Sequence, residues 1–173
     1  LGHAAYVETE LDRKLLPAVL QGEFRLVLIS GNAGDGKTAF LQRLEKEVEA
    51  RGGAAHRGLP NGSELSLAGQ RFLINYDGSQ DEGNKDNNQV LLDFLAPFRG
   101  EDAKAWTPQE IRLIAINEGR LVDFLTTHER DFAALTALVR RAFANGEAES
   151  GVALVNLNLR SVVAEAEGGS ILE

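Results

Sequence analysis

Apolar side chains along this chain follow two rhythms in turn. Phe24-Arg25-Leu26-Val27-Leu28-Ile29 is an almost continuous apolar run of strand length, the pattern of a parallel strand covered on both faces. From Thr38 the period becomes helical, with Leu41, Leu44 and Val48 on one face and Glu47/Arg51 as an i,i+4 pair on the other, until Gly52-Gly53 ends the helix. Phe72-Leu73-Ile74, within 71–76, and the run 111–116 predict two more apolar strands. A last strand covers 152–159, where Leu157 and Leu159 alternate with Asn156, Asn158 and Arg160 as in a strand exposed on one side. Helical spacing marks 90–98, interrupted by Pro97, then 121–125 and 132–143, with Asn145-Gly146 closing the last. Ahead of all this, Leu11, Leu15 and Leu16 predict a short amphipathic lead-in helix over 8–16, ended by Pro17 and followed by Val19, Leu20 and a turn at Gly22.

Two stretches are less regular. Residues 54–70 are ambiguous, though Asn61-Gly62 suits a tight turn between short strands near 54–57 and 64–67. Residues 78–89 carry no apolar side chain, so they are a mobile loop or the polar entrance to the next helix. Trp106 and Thr107-Pro108 open the connection to the third apolar strand. Strands alternating with helices imply right-handed crossovers, hence an α/β fold: a three-layer parallel sheet with helices on both faces. No internal repeat is visible.

Composition narrows this little. The 173 residues, 43% hydrophobic and 25% charged, suit one globular domain with its own core. No apolar run approaches the roughly 18 residues of a membrane span, so no membrane partner is expected. Eighteen Lys and Arg against 26 Asp and Glu leave a net charge of −8, which opposes coating a phosphate backbone but permits a local basic site. The chain has no Cys, which removes disulfides, thiolate nucleophiles and thiolate metal sites. With no charged-then-apolar leader either, the expected location is the cytoplasm. The lack of any Met and the Leu1-Gly2 start read as an excerpt of a longer protein.

The candidate chemistry sits between the first strand and the first long helix. Gly31-Asn32-Ala33-Gly34-Asp35-Gly36-Lys37-Thr38 matches G-x-x-x-x-G-K-[ST], the phosphate-binding loop, and Ala39 completes the expected nucleotide-binding segment. Glycines let consecutive N–H groups surround a polyphosphate. Lys37 would reach the β- and γ-phosphates, the Thr38 hydroxyl would hold Mg²⁺, and the helix start adds its positive dipole end. The alternative is a glycine-rich turn that binds nothing, against which the strand-loop-helix context counts. His3, His56 and His128 lack metal-ligand spacing and read as surface residues.

These features resemble the P-loop NTPases, and the order of parts over about 24–160 is similar to the AAA+ and related STAND branch. The resemblance makes 1–23 a lead-in helix, 24–160 the ATPase core and 161–173 a tail or the start of a missing lid. It implies ATP and Mg²⁺ as ligands. Phe72-Leu73-Ile74-Asn75-Tyr76-Asp77 would supply the acidic Walker B strand and Leu113-Ile114-Ala115-Ile116-Asn117 the sensor strand. Asp77 would then orient the metal or its water shell, with an Asp-Gly turn as the plainer reading. Asn117 would position water or report the γ-phosphate, with a helix N-cap as the plainer reading. The family's second acid would follow Asp77, but Gly78 stands there, which leaves Asp81, Glu82 and Glu118 as candidates for the base. Arg120, Arg130, Arg140 and Arg141 are candidates for a finger acting on a neighbouring subunit, or solvated helix faces. Tyr6 would approach an adenine or pack on the sheet edge.

The leading expectation is an ATPase whose Lys37, Asp77 and Asn117 drive movement or assembly of a larger machine, as a homo-oligomer or within a larger complex. A nucleotide-dependent switch with negligible turnover is the rival, motivated by Gly78, and a small-molecule kinase the third reading. The phrases SGNAGDGKT and IAINEGRL also resemble ATPases of bacterial anti-phage and DNA restriction systems, including the phosphorothioation-dependent kind. That resemblance implies DNA or a nuclease as partner, contacted outside this segment. With almost no length left for the lid of an AAA+ site, the isolated chain is expected to bind ATP weakly and turn it over poorly.

Overall fold

Strand β1 (Leu26–Ser30) is buried at every position, as its unbroken apolar run demands. In the computed structural model, which describes residues 10–31, 36–145 and 150–157, it lies inside a six-stranded sheet of order β2-β3-β4-β5-β1-β6. The other elements are α1 (Glu10–Leu20), α2 (Lys37–Ala50), β2 (Ala54–Leu59), β3 (Gly62–Leu67), β4 (Gln70–Asn75), α3 (Asn87–Leu95), β5 (Ile111–Ala115), α4 (Glu118–Thr127), α5 (Ala133–Asn145) and β6 (Val152–Asn156). Alternation along β1 sorts the core into two layers. Val27 and Ile29 pack with Leu15, Val19, Phe40 and Leu44 of α1 and α2. Leu26 and Leu28 pack on the other face with Leu91, Phe124 and Leu135 of α3, α4 and α5. Helices therefore cover both faces of the sheet.

The sheet is mixed, which corrects the expectation of an all-parallel one. β4, β5, β1 and β6 run parallel, while β2-β3-β4 form an antiparallel meander at one edge. Its connections, residues 60–61 and 68–69, are far too short for the dozen or more residues a parallel crossover needs. Two further expectations change. α1 runs through Pro17; a mid-helix proline costs about 3 kcal/mol, and burial of Leu15, Leu16, Val19 and Leu20 opposes that cost at about 1.5–3 kcal/mol per side chain. β6 is an edge strand by pairing, but over its described length it is covered on both faces, with Ala153, Val155 and Leu157 in one core layer and Val152 in the other. Residues 158–173 lie outside the described residues. Among the described residues no helix is long and apolar enough to cross a membrane.

Candidate functional site

β1, β5 and β4 point their carboxyl ends the same way, so the segments that follow them, which begin at Gly31, Ile116 and Tyr76, share one edge of the sheet. That edge is where open α/β sheets bind ligands. The residues expected to carry chemistry gather there. Gly36 starts α2 at φ 91, a left-handed conformation that favours glycine, and no side chain caps the helix. Lys37, the first helical residue, folds its side chain back so that Nζ donates to the Gly31 carbonyl at 2.7 Å. Thr38 is exposed and Ala39 half-buried just behind it. Asn32, Ala33, Gly34 and Asp35 lie outside the described residues, as do His3 and Tyr6.

Asp77 follows β4 and is held by its own turn. Its Oδ1 accepts from the Ser79 N–H at 2.9 Å and the Ser79 hydroxyl at 2.6 Å, and its Oδ2 from the Gln80 amide at 3.1 Å. Partial burial pushes this carboxyl up, but the bonds from Ser79 and Gln80 and the charge of Lys37 outweigh it and hold the group below the ordinary aspartate range. Asp77 is thus ionised and feels Lys37 across the edge. Three donors leave a carboxylate acceptor capacity for a fourth.

Two amides missed by sequence reasoning brace the turn from below. Asn75, 4% exposed, accepts from the Asp77 N–H at 2.8 Å and from the Asn61 amide at 3.2 Å. The Asn61 amide also donates to the Asp77 carbonyl at 2.8 Å. The one available signal was an asparagine at an inward position of an apolar strand.

Gly78 has a packing reason. A Cβ there would stand 3.0 Å from Ile114 Cδ1, Ile116 Cβ and Ile116 Cδ1, while its N–H donates to the Ala115 carbonyl at 2.7 Å. The backbone lies close against β5, so an acid directly after Asp77 would force these side chains to give way by a few tenths of an ångström.

Asn117 caps α4: its side chain accepts from the Arg120 N–H at 2.7 Å, which is the plainer of its two sequence readings. It stands at the end of β5, between the segments leaving β1 and β4. The three candidate bases separate clearly. Asp81 accepts from the Asn87 N–H at 2.6 Å, and Glu82 lines a pocket of about 280 Å³ with Asn61, Asn75 and Phe94 beyond β4. Glu118 accepts from the Asn156 amide at 3.5 Å, a contact linking the ends of β5 and β6 across the end of β1, where the loop begins.

The four arginines separate as well. Arg120 is turned inward against Asn87 at 2.5 Å, Arg140 pairs with exposed Glu129 at 3.2 Å, and Arg130 and Arg141 are exposed. His56 is exposed on β2, but His128 corrects the surface expectation. It is half-buried, its ring 4.6 Å from that of Phe124 and its Nε2 3.0 Å from Asn88 Oδ1. The loop 78–86 is tied by hydrogen bonds, and Asp86 caps α3 by accepting from the Gln89 N–H at 2.9 Å. Among the described residues no group of three or more His, Cys, Asp or Glu is placed to hold a metal.

No family model matches the chain, and no solved structure matches it. A tRNA 2-selenouridine synthase of Psychromonas ingrahamii is similar, 28% identical over 127 residues, which cover 73% of this chain and 29% of that protein. The chain therefore spans less than a third of that relative, and the tRNA in its name belongs to that protein.

Proposed function

We propose that this chain is the nucleotide-binding core of a P-loop ATPase of the AAA+ or STAND kind, acting on Mg·ATP. The observation that carries the reading is the placing of Lys37: it stands at an uncapped helix start and reaches back to the Gly31 carbonyl at the end of β1, within the motif whose spacing suits phosphate and on the sheet edge where Asp77 follows the parallel strand β4. Lys37 exchanges the Gly31 carbonyl for phosphate oxygens, which it neutralises, while the N–H groups at the start of α2 point at the same anion. The exposed Thr38 hydroxyl and the Asp77 carboxylate are hard oxygen donors that suit Mg²⁺, an ion usually held by one or two protein groups together with substrate phosphates. Bound there, the ion supplies charge neutralisation on the phosphates.

For hydrolysis we assign Glu118 as the base. It spans the end of β1 beside Asn117, whereas Asp81 and Glu82 serve the loop and the pocket beyond β4. Asn117 gives up its cap bond to orient the water or sense the γ-phosphate. The packed Gly78 favours a second reading, a nucleotide switch that turns over negligibly. Phosphate release by the full chain separates the two. Steady release that falls about 10²-fold or more in Glu118→Gln, a range typical of general-base loss, supports the ATPase. Binding without release leaves the switch. A role in DNA restriction or phage defence, and an oligomer or larger complex as the thing moved, belong to the same proposal and rest on the two short phrases that resemble those systems. A charge of −8 argues that DNA, or RNA such as the relative's tRNA, is met through other segments.

A further inference from the structure

Arg120 sits in the first turn of α4, and its backbone N–H is the group that Asn117 caps. Its side chain is only 21% exposed. Nε donates to Asn87 Oδ1 at 2.5 Å, Nη1 donates to Asp123 at 3.1 Å, and the guanidinium lies 5.9 Å from the centre of the Phe124 ring. Asn87, the first residue of α3, turns its other end toward the Asp77 loop: Nδ2 donates to the carbonyls of Gly78 and, at 3.3 Å, of Gln80. Chemistry fixes this orientation. A flipped amide would set NH₂ against the guanidinium and oxygen against two carbonyls.

Gly78 is packed against β5, but the loop beyond it needs such a tie because residues 79–87 contain no apolar side chain and so gain no position from core packing. The bonds from Asn87 fall on Gly78 and Gln80, flanking Ser79. Ser79 and Gln80 supply all three side-chain-directed donors to Asp77. A continuous path therefore runs from Asn117 through Arg120 and Asn87 to Asp77, joining the segments at the ends of β5 and β4.

We infer that Arg120, acting through Asn87, is a positioning residue that makes the Asp77 turn and the Asn117 arm move together when nucleotide and metal bind. The inference rests on the Mg·ATP reading and assigns Arg120 a role within its own chain instead of a finger offered to a neighbour. Asn117 engaging a phosphate or water releases the Arg120 N–H, loosens the first turn of α4 and so alters the pull on the Asp77 loop.

The test measures binding of a fluorescent ATP analogue to the full chain, first in chelator and then over a Mg²⁺ titration. Arg120→Lys, Arg120→Ala, Asn87→Asp and the double variant Arg120→Ala/Asn87→Asp are compared with wild type. Removing a group that hydrogen-bonds and orients a metal ligand typically costs about 10–100-fold in metal affinity. Arg120→Ala and Asn87→Asp are each expected to raise the half-saturating Mg²⁺ concentration about tenfold, with metal-free affinity held within about twofold. The double variant should be no worse than the worse single one, as for two members of one path. Arg120→Lys keeps the charge and the packing on Phe124, so it guards against loss of fold, checked by thermal melting; it should show the same kind of shift in smaller degree. Wild type that needs Mg²⁺ while a folded Arg120→Lys and Asn87→Asp need no more of it overturns the inference alone. An equal fall in metal-free and metal-bound affinity also overturns it, since that marks a merely structural role. Wild type that binds no nucleotide overturns the ATP reading and this inference together.

Discussion

Replacing Gly78 by alanine is the sharpest test of how the Asp77 turn is packed. Added to an unstrained, exposed backbone, a methyl group should stabilise by about 0.4–1 kcal/mol, because it restricts the unfolded chain. Here the methyl would meet three carbon atoms at 3.0 Å, namely Ile114 Cδ1, Ile116 Cβ and Ile116 Cδ1, well inside the roughly 3.5–4.0 Å optimum. The two Cδ1 atoms can rotate away, but Ile116 Cβ is fixed to the strand end and its backbone. The Ile116 N–H donates to the Ile29 carbonyl at 2.9 Å, and the Gly78 N–H donates to the Ala115 carbonyl at 2.7 Å. Overpacking of this kind costs about 1–3 kcal/mol. It therefore outweighs the unfolded-state gain and leaves a net loss of about 1–2 kcal/mol. In a chain of this size that lowers the melting temperature by about 2–8 °C. Ile116→Val removes one of the three contacts, so Gly78→Ala should cost less in that background than in wild type, a coupling that a double-mutant cycle resolves. Chemical denaturation of the four proteins checks both statements. A Gly78→Ala variant as stable as wild type, or costs that add with no coupling, would show that Gly78 is not pressed against β5.

Two further predictions concern the groups around the site. Ser79→Ala removes one of the bonds that depress the Asp77 carboxyl, so its titration midpoint, followed by carboxyl NMR, should rise toward the ordinary value of about 3.9. A depressed carboxylate stabilises the fold above its unfolded pKa and loses that stabilisation as pH falls through its folded value; the Ser79→Ala deficit should thus be full at neutral pH and shrink in acid, and an unmoved midpoint counts against the turn. Glu45 of α2, 2% exposed, accepts from the Ser63 hydroxyl at 2.7 Å, the Tyr76 hydroxyl at 2.5 Å and Arg57 Nε at 3.1 Å. Glu45→Ala takes this acceptor from the Ser63 and Tyr76 hydroxyls, while Arg57 keeps Glu49, and should cost about 2–4 kcal/mol, with Tyr76→Phe nearer 1 kcal/mol; a Glu45→Ala loss under about 0.5 kcal/mol would contradict the network.

The sequence made local features plain and distant ones opaque, for physical reasons. The strand ahead of the glycine-rich loop, the amphipathic face of α2, the Glu47–Arg51 pair, found at 2.8 Å, and the turn before Gly62 all depend on neighbours within a few residues, where spacing carries the signal. Pro17 misled because propensity speaks for an isolated helix, whereas tertiary burial of the α1 face decides. The antiparallel edge was signalled by the turn near Gly62 but was overridden by the alternation of strands and helices elsewhere. Around the candidate site, Lys37 and Thr38 were legible from the motif. Asn61, Asn75, Asn87 and Arg120 were not assigned their parts, because they work in pairs 14 and 33 residues apart, which leave no periodic trace. Glu45 sat unremarked inside the apolar stripe of Leu41, Leu44 and Val48, although a carboxylate at such a position needs partners.

The central claim, that the loop ending in Lys37 and Thr38 holds the phosphates of Mg·ATP, is tested most directly by calorimetric titration of the full chain and of Lys37→Ala with ATP in the presence and absence of Mg²⁺. Wild type should bind saturably and more tightly with Mg²⁺. Lys37→Ala should melt normally and lose the binding by about 10–100-fold or more, as expected for removing a charge-assisted contact of about 1.5–3 kcal/mol. An unchanged affinity in a folded Lys37→Ala, or a wild type indifferent to ATP at millimolar concentration, would contradict the account.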